Sequence, residues 1–135
     1  MRGFLSVKLI LDSCAFIDIA INAPTLTRNA ISAFQDMNNE LFLSVASVWE
    51  LGLKRSLGKL DFDMAGAIDL LSQNGINILD ITLPVTLLVN ELPYHHKDPF
   101  DRIIIATAKI NDMGVMTSDT IFETYGLEII NSRAR

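Results

Sequence analysis

The chain has 135 residues, of which 50% are hydrophobic, so it is long enough for one well-packed domain and too short for two. Its formal net charge of −5 at pH 7 disfavours a protein that coats nucleic acid through lysine and arginine, and its single cysteine excludes an internal disulfide or a cysteine-rich zinc site. Charged residues break the N-terminal apolar runs, so we find no signal-peptide core and no stretch of roughly 18 apolar residues that would cross a membrane. We therefore expect a single domain over residues 1–135, without membrane association, in the cytoplasm.

The first half of the chain predicts strands and helices in alternation. Residues 7–11 are an apolar run that ends at Asp12, the pattern of a buried parallel strand that delivers an acid to the carboxyl edge of a sheet. The elements that follow are a helix from Ser13, a helix over 26–34 that closes at 38–39, a strand over 41–43, and a helix that Ser44 or Ser47 caps and Gly58 stops. The apolar stripe of that last helix comprises Val45, Val48, Trp49, Gly52 and Leu53, and Glu50 lies beside it.

The second half continues this alternation. In order, the sequence predicts a helix over 64–71, a strand over 76–79, a helix over 84–92, a helix over 99–112 with Gly114 as its stop, a strand over 115–117, a short helix over 120–125 and a strand over 127–130. The pattern is typical of a three-layer α/β/α fold around a mainly parallel sheet, here of about four to five short strands. In such folds ligands bind outside the carboxyl ends of the strands.

The segment 95–106 opens the helix over 99–112. Asp98 is placed as its N-cap, Pro99 suits the first helical position, and Asp101 falls at the third. The residues that follow are almost all apolar, so we expect Asp101 to be largely buried. A buried carboxylate needs a partner, and a metal ion is one candidate.

Four acids are expected at one edge of the sheet. Asp12 and Asp119 follow predicted strands, and Glu50 and Asp101 lie early in predicted helices. Carboxylates that share a pocket raise one another's pKa unless cations neutralise them, and an all-oxygen ligand set favours Mg²⁺ or Mn²⁺. Such ions can activate water for phosphodiester hydrolysis. The structural alternative is that Asp12 and Asp119 only cap helices and that Glu50 pairs with Lys54 at i+4.

Local basic residues can still bind a nucleic acid, because metal binding at the four acids would leave the rest of the chain close to neutral. The candidates are Lys54, Arg55, Lys59, Lys97 and Arg102, unless they only form solvated helix faces. Arg102 has the stronger claim, since a guanidinium beside an acidic site can grip phosphate. The alternative is an ion pair with Glu50 or Asp98.

Four segments resemble, in order and spacing, the motifs of the PIN domain family, and more closely those of the VapC-type toxin ribonucleases. They are 9–13 (LILDS), 47–54 (SVWELGLK), 95–102 (HHKDPFDR) and 117–119 (TSD). The resemblance implies a PIN fold and Mg²⁺-dependent cleavage of RNA under control of a small antitoxin, with Asp12, Glu50, Asp101 and Asp119 as the metal-binding residues. Further candidates for contacting substrate or supporting these acids are Ser13, Lys54, Arg102, Asp98 and Ser118. The resemblance and a mean hydropathy of +0.33 both favour a homodimer and an antitoxin complex.

The chain departs from the family pattern near the first and last acids. Ser13-Cys14 stands where Thr-His is frequent, and Ser13 keeps a hydroxyl that can hydrogen-bond a site carboxylate. Residues 16–19 lack the aromatic pair common in that helix. Asp119 is followed by Thr120-Ile121, without the extra acid that some relatives have nearby, so the sequence leaves open whether one or two ions bind.

Other site chemistries fit less well. Cys14 and His95 could form a thiolate–imidazole pair, but no third residue orients the imidazole, and we expect Cys14 to be a small buried helix residue. His95 and His96 are expected to make local hydrogen bonds in a loop, outside the metal ligands. A haloacid-dehalogenase-like phosphatase needs a second acid where Cys14 stands, and a receiver domain needs paired acids after its first strand. The remaining alternatives are a DNA-directed nuclease of the same fold and a catalytically inactive binding module.

Overall fold

The structure, a computed structural model, describes residues 7–134, so both ends of the predicted domain 1–135 lie outside the described residues. The strands are β1 (Lys8–Leu11), β2 (Glu40–Ser44), β3 (Ile76–Leu79), β4 (Gly114–Thr117) and β5 (Ile129–Asn131). The helices are α1 (Ser13–Ala20), α2 (Arg28–Gln35), α3 (Val45–Ser56), α4 (Met64–Gln73), α5 (Leu83–Val89) and α6 (Pro99–Asn111), and a 3₁₀ helix spans Thr120–Tyr125. Within this part of the chain no helix combines the length and the apolar character needed to span a membrane.

All five strands pair in parallel in one sheet, in the order β3-β2-β1-β4-β5. Helices cover both faces, because successive side chains of a strand point to opposite sides. Leu9 and Leu11 of β1 pack into one apolar cluster with α1, α2 and α4, whereas Ile10 packs into a second cluster with α5 and α6. The predicted three-layer α/β/α fold with a parallel sheet is confirmed.

The ends of β1 and β4 form the switch point of the sheet. From β1 the chain proceeds to β2 and β3 on one side, and it returns to β4 and β5 on the other. Leu11 pairs with Met116, and the backbone N–H of Asp12 donates to the carbonyl of Met116 at 3.1 Å. The residues that follow both strands therefore lie side by side at the carboxyl edge, where folds of this kind bind ligands.

Side-chain caps fix where the helices begin. The residues whose side chains accept a backbone N–H from the first turn of the helix that follows are Asp12, Thr27, Ser44, Asp63, Thr82 and Asp98. The predicted cap at Asp98 is confirmed, and it accepts the amides of Phe100 and Asp101 at 2.8 and 3.3 Å. Ser44, and not Ser47, caps α3.

Several predicted ends are wrong. Gly114 does not stop α6, because the helix ends at Asn111 and Asp112 takes the left-handed conformation with φ 53°. Gly114 instead opens β4, where an added Cβ would lie 3.0 Å from a side-chain carbon of Leu9. The helix predicted over 84–92 ends at Val89, and the last strand begins at Ile129.

The buried face of α3 is not the predicted stripe. The residues of α3 that are buried are Ala46, Ser47, Glu50 and Leu51. Small side chains at 46 and 47 allow close packing of the start of the helix, and Leu51 fills the core, so the helix turns Glu50 inward. The apolar residues on the other side, Trp49 (60% exposed), Leu53 (43%) and Leu57 (61%), form an exposed row that we call the α3 stripe.

Candidate metal centre

The four predicted acids come from four elements and reach the same edge of the sheet. Asp12 follows β1, Asp119 follows β4, Asp101 is the third residue of α6, and Glu50 lies in the second turn of α3. Their charges interact, since Asp12, Glu50 and Asp119 all act on the Asp101 carboxyl. The sheet edge is therefore a region of concentrated negative charge.

Asp12 is buried, and both of its carboxylate oxygens have donors. Oδ1 accepts the backbone N–H of Ala15 at 2.8 Å, and Oδ2 accepts the hydroxyl of Thr117 at 2.5 Å. The same Thr117 oxygen accepts the backbone N–H of Asp119 at 3.0 Å, so one hydroxyl joins the ends of β1 and β4. The sequence indicated Ser118 as a supporting residue here. Among the described residues Ser118 makes no hydrogen bond to these acids, and Thr117, the last residue of β4, has that role.

Glu50 is held by one hydroxyl and one ammonium group. The Ser13 hydroxyl donates to its Oε1 at 2.5 Å, which is the carboxylate contact expected of Ser13. The Lys54 ammonium lies 3.0 Å from its Oε2, and this hydrogen bond raises the pKa of Lys54. Glu50 is thus fixed both by α1 and by its own helix.

His96 lies next to two of the acids and also makes the local hydrogen bond expected of a loop residue, and its exclusion from the metal ligands stays a prediction. Its Nε2 lies 2.9 Å from Oδ2 of Asp101 and 3.1 Å from Oδ2 of Asp119, although it makes a well-aligned hydrogen bond to neither. Its Nδ1 accepts the backbone N–H of Asp98 at 3.2 Å. Across residues 7–134, the group of potential metal ligands whose atoms all lie within 4.8 Å of one another is His96, Asp101 and Asp119. Asp12 and Glu50 are at the same edge but outside that group.

Burial raises the pKa of two of these carboxyl groups. Desolvation raises the pKa of Asp101 to about 8, and the negative charges of Asp98, Asp12, Glu50 and Asp119 add to the effect. The Asp101 side chain is 21% exposed, so it is mostly buried, as expected. Desolvation also raises the pKa of Asp12, although the donors Thr117 and Ala15 act in the opposite direction. A bound cation would stabilise the ionised carboxylates of such a site.

The acids also have the structural roles expected of them, as helix caps and as a partner of Lys54. Asp12 caps α1, Asp119 caps the 3₁₀ helix through Oδ1, and Glu50 pairs with Lys54. A carboxylate offers two oxygens with about four lone-pair positions, so a cap does not exhaust it. The carboxylate oxygens that these contacts leave available therefore fit a divalent cation.

Arg102 is buried and does not serve the site in the expected way. Its guanidinium donates to four backbone carbonyls, those of Val89 (2.6 Å), Leu92 (3.1 Å), Pro93 (3.0 Å) and His96 (3.1 Å). The Tyr94 ring covers it, with 4.0 Å between the guanidinium carbon and the ring centroid. The predicted grip on phosphate and the predicted pair with Glu50 or Asp98 are therefore wrong. Arg102 instead fixes the end of α5 and the loop between α5 and α6, because it binds carbonyls from both.

Cys14 is exposed, so its predicted burial is wrong. Desolvation of the thiol and the charge of Asp12 raise its pKa, which disfavours a thiolate. His95 packs edge-on against Tyr125, with ring centroids 5.2 Å apart. The raised thiol pKa and the packing of the His95 ring on Tyr125 both disfavour a Cys14–His95 nucleophile pair.

Comparison with known proteins identifies the family. The sequence profile of the PIN domain matches residues 9–127. The chain belongs to the PIN domain family. The matched range contains all four acids of the site, and no curated protein matches the sequence.

Solved structures with this PIN fold are similar over nearly the whole chain. VapBC2 from Rickettsia felis, bound to a DNA fragment from its promoter, gives a TM-score of 0.72 at 16% identity over 93% of this chain and 99% of that chain. DNA-bound VapBC from Salmonella typhimurium gives 0.66 at 18% identity, covering 93% and 98%. A toxin–antitoxin complex from Klebsiella pneumoniae gives 0.59 at 19% identity, covering 83% and 87%. At these identities the likeness shows the fold.

We predict that Arg102→Ala destabilises the protein by on the order of 3 kcal/mol or more, because it leaves several buried carbonyls without donors. Arg102→Lys should recover only part of this loss, since an ammonium cannot reach carbonyls spread around a planar guanidinium. Urea unfolding followed by circular dichroism measures both. The control is Arg55→Ala, an exposed arginine on α3, for which we expect a change within about 0.5 kcal/mol. Equal stability of the Arg102→Ala and Arg55→Ala variants would contradict the structural role assigned to Arg102.

We predict that stability in excess chelator falls as pH rises from about 4 to 8. Asp101 keeps its proton in the folded protein up to a pKa of about 8 and loses it near 3.8 when unfolded. In this interval the folded state binds more protons than the unfolded state, so rising pH lowers the free energy of unfolding. Asp101→Asn should flatten this dependence, leaving the smaller part due to Asp12.

Thermal melts at several pH values measure this difference. Asp69→Asn, which removes an exposed carboxylate from α4, is the control and should keep the wild-type slope. A wild-type slope that survives in Asp101→Asn would contradict the assignment of this titration to Asp101.

Proposed function

We propose that this protein is a metal-dependent endoribonuclease and the toxin of a type II toxin–antitoxin pair, acting on RNA in the cytoplasm. The observation that carries the proposal is the meeting of four carboxylates at the β1/β4 edge of a PIN domain, where the pKa of Asp101 rises to about 8. The similarity in fold to VapBC and to another toxin–antitoxin complex supports the biological role. The choice of RNA as substrate rests on the resemblance of the motifs to VapC-type ribonucleases.

In this proposal Asp12, Glu50, Asp101 and Asp119 hold Mg²⁺, with Mn²⁺ as a substitute, because these cations prefer oxygen ligands. When bound, such an ion lowers the pKa of a water molecule and offsets the charge that develops on the leaving oxygen. Asp119 is followed directly by Thr120 and Ile121, without an extra acid beside it, which favours one ion in the free protein over two.

The surrounding residues keep the acids in place. Thr117 and Ser13 donate to Asp12 and Glu50, so each carboxylate presents a fixed face to the edge of the sheet. The Lys54 side chain is 47% exposed and lies against Glu50, where it can contact a substrate phosphate without leaving the acid. Asp98 acts through the backbone as the cap of α6.

The exposed apolar surface supports protein partners. The α3 stripe begins next to Glu50, so we propose that it contacts the antitoxin near the acidic edge. Leu83 and Leu87 lie one turn apart on α5 and are 71% and 62% exposed, and we propose that they take part in a homodimer contact.

Two alternatives predict different behaviour. A DNA-directed nuclease would cleave DNA at least as well as RNA of matched sequence, since hydrolysis of a phosphodiester does not require a 2′-hydroxyl. An inactive binding module would cleave neither. Assays with matched RNA and DNA oligonucleotides separate all three.

We predict that Asp101→Asn lowers RNA cleavage in Mg²⁺ by at least about 10²-fold, because the substitution keeps the shape of the side chain and removes a metal-binding charge. The metal-free stability of this variant should hold or rise, because folding no longer has to bury a carboxyl group that is ionised in the unfolded chain. Single-turnover cleavage of a labelled RNA measures the first effect, and thermal melts in chelator measure the second.

The matched control is Asp98→Asn, three residues away in the same segment. Asn caps helices about as well as Asp, so the variant should keep cleavage and lose only about a few tenths of a kcal/mol of stability. Excess EDTA should abolish wild-type cleavage. Full activity in EDTA, or loss of cleavage in Asp98→Asn but not in Asp101→Asn, would show that the site is wrongly assigned.

We predict that the protein without antitoxin is a dimer at micromolar concentration, and that Leu83→Glu with Leu87→Glu makes it a monomer, because two buried charges would oppose the contact. Light scattering coupled to size-exclusion chromatography measures the mass. The control is Leu70→Glu on α4, where the native side chain is 47% exposed, and it should remain dimeric. A monomeric wild-type protein would refute the proposed homodimer.

A further inference from the structure

The imidazole of His96 lies between two acids that come from different parts of the fold. Asp101 belongs to α6, Asp119 follows β4, and Nε2 of His96 is 2.9 and 3.1 Å from one oxygen of each. The His96 side chain is only 13% exposed, and its Nε2 atom is buried without a well-aligned hydrogen bond to a single partner. An N–H directed between two acceptors, shared by both, accounts for these distances.

The other ring nitrogen settles which form of the imidazole is present. Nδ1 accepts the backbone N–H of Asp98 at 3.2 Å, so Nδ1 carries no proton. A neutral imidazole has one N–H and one acceptor, and the proton must then be on Nε2. His96 therefore faces the carboxylates as a hydrogen-bond donor, and in this form Nε2 has no lone pair to offer a metal ion.

Buried groups from two other elements fix the residue in this position. The hydroxyl of Tyr125 accepts the backbone N–H of His96 at 2.8 Å and donates to the carbonyl of Pro93 at 2.6 Å. Arg102 donates to the carbonyl of His96 at 3.1 Å, and the ring of Phe122 packs edge-on against the imidazole with centroids 5.9 Å apart. The imidazole is thus held rigidly where the two acids meet.

We propose that His96 is a positioning residue of the metal site, whose Nε2–H donates to the carboxylates of Asp101 and Asp119 together and keeps them close enough to share one cation. This inference rests on the proposed function, because it takes these two acids as metal ligands. When a bound cation keeps both acids ionised, their like charges repel each other, and a donor between them offsets part of this repulsion. Each Oδ2 that receives the N–H keeps a further lone pair that a metal ion can use. Outer groups of this kind commonly change metal affinity by about 10- to 100-fold when removed.

Two substitutions separate the two ring nitrogens. In His96→Asn the side-chain oxygen can replace Nδ1 and accept the Asp98 amide, but the side chain is too short to donate to the acids. In His96→Gln the amide N–H can replace Nε2 and donate to the acids, but the contact with the Asp98 amide is lost. We expect the affinity for Mn²⁺, measured by calorimetry without RNA, to fall at least about tenfold in His96→Asn and to stay within about threefold of wild type in His96→Gln.

The control is His95→Asn, which removes the neighbouring ring outside the site and should leave Mn²⁺ affinity unchanged. Wild-type affinity in His96→Asn would overturn the inference and leave the proposed function standing. Equal loss in His96→Asn and His96→Gln would also overturn it, because the imidazole itself would then be needed as a ligand. A wild-type protein that binds no Mn²⁺ would refute the metal site, and with it both proposals.

A measurement on the unaltered protein guards against variants that fail to fold. Nitrogen-15 NMR of the imidazole distinguishes a protonated Nε2 from a protonated Nδ1. We expect the Nε2–H form both in chelator and in saturating Mg²⁺. Loss of the Nε2 proton on addition of Mg²⁺ would overturn the inference, since it would make Nε2 a ligand.

Discussion

Repulsion among the carboxylates at the carboxyl ends of β1 and β4 determines how the surrounding residues are arranged. Every acid there has at least one donor: Thr117 for Asp12, Ser13 and Lys54 for Glu50, and the His96 N–H near the other two. The N-terminal ends of α1 and α6 also point to this edge, and their unpaired N–H groups carry partial positive charge. These donors compensate only partly, because the pKa of Asp101 still rises to about 8. What remains is a local excess of negative charge that a cation can neutralise.

The loop that carries His96 depends on one buried guanidinium. Residues 90–98 contain no helix or strand of their own, so their carbonyls need donors from elsewhere. Arg102 supplies donors to four carbonyls within and just before this loop, and Tyr125 bridges Pro93 and His96. Arg102, the fourth residue of α6, thus affects the site indirectly, by fixing the backbone of the loop that carries His96. Its neighbour Asp101 lies at the acidic edge itself, because adjacent helical residues point in directions about 100° apart.

The sequence predicted the parts of this protein that depend on local patterns. Apolar runs that end in acids located β1 and β4 together with Asp12 and Asp119, and a cap followed by proline located the start of α6. Contacts between distant residues were not predictable in this way: Thr117 and Asp12 are 105 positions apart, and the hydroxyl that joins them looks like any strand threonine in the sequence. His96 gave one weak signal, its place two residues before the Asp98 cap, and nothing local distinguished it from His95. The role of Arg102 was misjudged because adjacency to an acid in sequence does not show which way a guanidinium turns.

The misjudged face of α3 links the acidic edge to the proposed partner surface. The buried side of α3 takes in both Glu50 and Leu51, and since successive helical residues are about 100° apart, Trp49 lies about 200° from Leu51 and faces solvent. Burying Glu50 beside Ser13 places the α3 stripe on the solvent side, since its members recur every four residues from Trp49 onward. The same rotation therefore delivers an acid to the site and creates an apolar surface that starts one residue away. A partner that covers the stripe would lie next to the carboxylates without any further adjustment of the fold, so the proposed partner surface and the geometry of the site have a common origin in the orientation of one helix.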